Sequence, residues 1–179
     1  MLKETFCSFM LFSVFLAFVV KAGDITVTKT APSEIAIGQN LTVIITITNG
    51  NPDSVHLTVR ENIGDAQAIS PQLIVPTAPH NIIAALPPYF QWSLTVNGSS
   101  QTNITYVIRP NKVSTYLFSP TIATADDGTT YSSDTPSTSI LCNSNGLCEP
   151  NVAENYGNCA QDCPSGSRDG YCDGVLDGK

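Results

Sequence analysis

The stretch NLTVIITITNGNPDSVHLTVRE, residues 40–61, decides the fold. Leu41, Val43, Ile45 and Ile47 recur with a period of two, and Thr42, Thr46 and Thr48 fall between them. After the turn signal NGNPD at 49–53, Val55, Leu57 and Val59 repeat the pattern against His56, Thr58 and Arg60. A period of two puts alternate side chains on opposite faces of a strand, so each run reads as a strand buried on one face, as in antiparallel sheets. The Asn and Gly residues between the runs tolerate the left-handed backbone of a tight connection, so the whole reads as strand, turn, strand.

The same pattern extends outward. YFQWSLTV, residues 89–96, alternates Phe90, Trp92, Leu94 and Val96 with polar residues, and NITYVIRP groups Ile104, Tyr106 and Ile108. NGSS at 97–100, RPNK at 109–112 and DDGTT at 126–130 punctuate the runs. About seven strands over residues 23–141 predict an all-β, immunoglobulin-like antiparallel β-sandwich. No cysteine lies between Ala22 and Leu141, so Trp92 is expected to be a core residue without the cysteine pair of antibody domains. Residues 63–88 hold five prolines and are expected to cross between the sheets.

The first 22 residues have another character. Basic Lys3 precedes the twelve-residue apolar run FMLFSVFLAFVV, and Val20-Lys21-Ala22 offers small residues for cleavage. That is the anatomy of a secretory signal peptide cut after Ala22, and the run is short of the about 20 residues a membrane span needs. The mature chain is then expected in the medium or at the cell surface, touching a membrane only through a tether absent from this sequence. Loss of Lys3, Lys21 and Glu4 takes the formal charge from −7 to −8, which disfavours nucleic acid and anionic lipid as partners.

Cys7 leaves with the signal, and the remaining five cysteines, Cys142, Cys148, Cys159, Cys163 and Cys172, all lie in residues 142–179. The spacing lacks the paired knuckles of a zinc site, and an exported chain meets oxidising conditions, so disulfides are expected. A segment this poor in apolar residues cannot fold by burial alone. Closing a loop such as Cys148 to Cys159 would contribute on the order of 2–3 kcal/mol. Spacing leaves the connectivity open, and five cysteines leave one over.

Oxygen donors are dense in the same segment, and calcium is the cation they would take. A twelve-residue loop starting at Asn143 puts Asn145, Glu149, Asn151 and Glu154 at liganding positions, but sets Leu147 and Cys148 where a donor and a glycine belong. A second frame starts at Asp169 with Asp173 at its fifth position and runs past the end of the sequence; Asp177 lies within it. Three sequons, at Asn40, Asn97 and Asn103, sit before a strand, in a turn and on an outward face, as N-glycosylation requires. Catalytic signatures are thin. His56 alternates outward, His80 lies in a Pro-bounded loop, and Asp126 and Asp127 share a turn, so no nucleophile–base–orienter set is expected.

Two resemblances add to this. ITVTKTAPSEIAIGQNLTVIITITNGNPDSVHLTVRENI, with WSLTVNGSSQTNITYVIRP and YLFSPTIATADDGTTYSSDTPS, resembles a surface-repeat domain of secreted archaeal and bacterial proteins, over most of residues 24–140. That likeness implies a scaffold without catalytic residues. CNSNGLCEPNVAENYGNCAQDCPSGSRDGYCDG resembles the cysteine-rich repeats of archaeal secreted proteins, which continue further and so imply that Cys172 has lost its partner by truncation; a free or intermolecular thiol is the rival account. The combined reading is a non-enzymatic exported surface, structural or adhesion module whose partners are other surface proteins or glycans. The alternative is a glycan- or protein-binding accessory module of a larger secreted hydrolase.

Overall fold

The computed structural model describes residues 24–62, 81–83, 89–166 and 170. Eleven strands are β1 (Ile25–Thr30), β2 (Glu34–Ala36), β3 (Leu41–Asn49), β4 (Val55–Asn62), β5 (Asn81–Ile83), β6 (Tyr89–Val96), β7 (Ser100–Ile108), β8 (Ser114–Leu117), β9 (Ile122–Ala125), β10 (Thr130–Ser132) and β11 (Ser137–Leu141). They form one sheet of order β1-β3-β7, a second of order β10-β9-β4-β6-β5 and a small third of order β2-β11-β8. Pairing is antiparallel throughout except between β11 and β2. The alternation seen in the sequence is the burial pattern: Leu41, Val43, Ile45 and Ile47 of β3, with Tyr106 and Ile108 of the adjacent β7, pack with Leu57, Val59, Phe90 and Trp92 of the second sheet in one core. The fold is an immunoglobulin-like antiparallel sandwich.

The strand, turn, strand reading of residues 40–61 holds, but the Asn49–Asp53 turn does not close a hairpin, because β3 pairs with β1 and β7 while β4 pairs with β6 and β9. The turn instead carries the chain from one sheet to the other. Buried Asn49 pins the crossing: its Nδ2 donates to the carbonyls of Asp53, Val96 and Asn97, and its Oδ1 accepts from the Asn51 N–H. Equally, residues 63–88 do not lead from one sheet to the other, since β4 before them and β5 and β6 around and after them share the second sheet. Residues 63–80 and 84–88 themselves lie outside the described set.

A charged pair crosses the core. Lys29 on β1 is in phase with Ile25 and Val27, and Glu61 on β4 is in phase with Leu57 and Val59, so alternation points both inward. Their side chains are fully buried and meet at 2.7 Å. Glu61 Oε1 also accepts from the Tyr106 hydroxyl at 2.6 Å, and Oε2 accepts from Thr121 Oγ1. Lys29 Nζ donates a second bond to the Ser119 carbonyl and sits 5.8 Å from the centre of the Phe118 ring. Burial lowers the Lys29 pKa even though Glu61 opposes it, and burial, then Glu61, raises that of Tyr106 well above its usual 10.0.

Breaking such a pair from one side strands a buried charge, so Lys29→Met should cost about 3–5 kcal/mol in a urea melt. Glu61→Gln added to it should return part of that loss, because it removes the stranded charge and keeps an acceptor for Tyr106. At alkaline pH the signs are opposite. Above pH 10 the unfolded chain loses the Tyr106 proton that the folded chain keeps, which lowers stability; proton release by Lys29 begins first in the folded chain, which raises it. Tyr106→Phe should therefore make stability fall less steeply above pH 10.

Candidate functional site

After β11 ends at Leu141 the described residues have almost no regular structure, only a 3-10 turn at Pro150–Val152. Two interleaved disulfides hold it, Cys142–Cys159 and Cys148–Cys163. The first spans 17 residues and the second 15, loops that each contribute about 3 kcal/mol in the chain-entropy account. Cys148 thus pairs with Cys163 rather than with Cys159. Cys172, Asp169, Asp173, Asp177 and His80 lie outside the described residues.

The asparagines of this segment build turns. Asn143 Oδ1 accepts the Asn145 N–H and Asn145 Oδ1 accepts the Leu147 N–H, at 3.1 and 2.7 Å. Both amides donate Nδ2 to the Glu149 carboxylate. Asn155 and Asn158 do the same further on, with Asn158 Nδ2 reaching the Ala153 carbonyl. Side-chain bonds to a neighbour's backbone are what Asn offers in place of a helix or ladder. Of the oxygens in the Asn143 calcium frame, those of Asn143 and Asn145 are therefore occupied by backbone N–H groups, Glu149 accepts from the two side-chain amides, and Asn151 is exposed.

Two carboxylates are buried here. Asp162 accepts the backbone N–H groups of Asn145 and Gly146 and lies 3.2 Å from Cys159 Sγ. Glu154 Oε2 accepts the Glu149 N–H, while its Oε1 has no partner. Cys142, Cys159 and Asp162 bring three potential metal ligands within 4.8 Å of one another. With the two sulfurs joined to each other, neither is the thiolate a soft metal needs.

The sandwich face carries a cluster that outward alternation alone did not disclose. His56 Nδ1 is 2.8 Å from Asp126 Oδ1, and His56 Nε2 is 2.8 Å from Ser93 Oγ. Sheet register explains it. β4 lies between β9 and β6, with Thr58 opposite Thr124 on one side and Ser93 on the other. His56, two residues along the same face, therefore reaches Asp126 across one ladder and Ser93 diagonally across the next. The signal was present in the alternation but needed the strand order. Asp127, by contrast, turns back to accept the Thr129 N–H, a bond that lowers its pKa. Beside His56 a shallow depression of about 350 Å³ is lined by Asn51, Ser54, Asp126 and Tyr131.

Nucleophile, base and orienter are thus in contact, yet the rest of a hydrolytic site is missing among the described residues. Ser93 stands on the outer face of a pleated sheet, where backbone N–H groups run in the sheet plane toward neighbouring strands and none converges above Oγ. The Asp126 side chain is 78% exposed, so water screens the pair. A fluorophosphonate probe should therefore leave Ser93 unlabelled, as read by peptide mass; labelling that His56→Ala abolishes would make the trio a catalytic site.

No protein-family model matches the chain. An uncharacterized protein of Archaeoglobus fulgidus is 58% identical over 33 residues, which is 18% of this chain and 15% of that protein. Among solved structures, the CARDB domain of a Pyrococcus furiosus protein, determined in complex with di-metal ions, matches at 14% identity and a TM-score of 0.41, covering 68% of this chain and 90% of that one. A cohesin module from a Clostridium perfringens family 33 glycoside hydrolase matches at 15% identity and a TM-score of 0.41, covering 67% and 98%. Among the described residues no helix is long and apolar enough to cross a membrane.

Proposed function

We propose that the chain is a non-enzymatic, exported structural or adhesion module, a sandwich that presents a disulfide-stapled segment to other surface proteins or glycans. The observation that carries this is the pair of interleaved disulfides in a segment with almost no apolar core, a construction that holds only where disulfides persist. Asn40, Asn97 and Asn103 are all exposed and are the positions for N-linked glycans. The Ser93–His56–Asp126 cluster serves here as a polar surface contact.

Expressed with residues 1–22 in a secreting host, the protein should appear in the medium beginning near Gly23. Its Cys142, Cys148, Cys159 and Cys163 should resist maleimide until reduced, and a glycosylating host should add mass at the three sequons. Retention inside the cell with these thiols free would overturn the reading.

A further inference from the structure

Two side-chain oxygens are buried without a hydrogen-bond partner, Glu154 Oε1 in the cysteine-rich segment and Asn111 Oδ1 in the β7–β8 connection. They are linked by topology. The backbone bond from the Val113 N–H to the Val152 carbonyl, 2.8 Å, joins these two parts of the chain. Asn111 lies two residues before one end of that bond, and Glu154 two residues after the other. Each orphaned acceptor thus lies within two residues of the bond by which the stapled segment meets the sandwich.

Charge sharpens the case. Residues 142–166 contain Glu149, Glu154 and Asp162 and no Lys, Arg or His. Asp162 is answered by two backbone N–H groups. Glu154, with none of its surface exposed, is answered at one oxygen only. Lys112, next to Asn111, is exposed, and Arg168, the basic residue nearest to Glu154 along the chain, lies outside the described residues. A buried carboxylate half-served by donors is costly, and acceptor oxygens left over on both sides of one contact call for a positive group.

We infer that the seam is a site for a hard divalent cation, calcium by its donor chemistry, held by Glu154 Oε1 and Asn111 Oδ1 with backbone carbonyls and water completing the shell. The cation would fasten the stapled segment to the sandwich and fix the angle at which that segment is presented. This deepens the module reading, and it moves the ligands away from Asn143 and Asn145, whose oxygens already close turns.

The oxidised chain from residue 23, titrated with calcium chloride by calorimetry, should bind one equivalent with a dissociation constant of about 0.1–1 mM. Terbium emission sensitised by Tyr156 gives a second readout. Glu154→Gln should weaken binding at least tenfold, and without calcium it should melt above the parent, since the uncompensated charge is gone. Asn111→Asp should tighten calcium binding and melt below the parent in EDTA. No saturable binding, or binding unchanged in both variants, would overturn the site. Binding lost only on replacing Asp169, Asp173 and Asp177 would also overturn it. None of these failures alters the secretion and thiol-protection result that tests the module reading.

Discussion

The fully buried contact between Lys29 and Glu61 is the constraint around which the sandwich is arranged. It joins the first strand of one sheet to the middle strand of the other, and it fills an interior otherwise made of Ile, Val, Leu and aromatic side chains. Glu61 collects Lys29, Tyr106 and Thr121, so four segments must be in register for its oxygens to be satisfied. Apolar residues of similar volume could supply as much stability. What they would lack is direction: a slip of one residue in β1 or β4 would put a charge without a partner in the core, or a charge outside and a gap within.

A different logic governs residues 142–166. Disulfides replace a core there, and asparagine side chains replace regular backbone hydrogen bonding. Asn143, Asn145, Asn155 and Asn158 each bond to backbone within a few residues, which makes a compact loop without burying apolar surface. Glu149, Glu154 and Asp162 make the segment acidic, and Glu154 is incompletely paired near its seam with the sandwich.

Much of the fold was legible in the alternation of β3, β4, β6 and β7, because period two names the buried face whatever the strand order. Strand partnership was not. The Asn49–Asp53 turn looks like a hairpin because local turn chemistry is the same for a hairpin and a crossing, and only the choice of neighbours, β1 and β7 against β6 and β9, separates them. Lys29 and Glu61 were in phase with the core all along, but a charge on an inward position reads as a strand end until its partner is known. His56 was correctly outward, yet its contacts with Asp126 and Ser93 depend on β9 and β6 flanking β4. In the tail Asn143 and Asn145, two of the donors that suggested a metal loop, close turns, a distinction that residue type cannot make.

Closure of the tail by two interleaved disulfides is tested directly by non-reducing peptide mapping with mass spectrometry. Proteolysis of the oxidised protein followed by fragmentation should yield Cys142 joined to Cys159 and Cys148 joined to Cys163. A Cys148–Cys159 or Cys142–Cys148 pairing, or all four as free thiols, would contradict it.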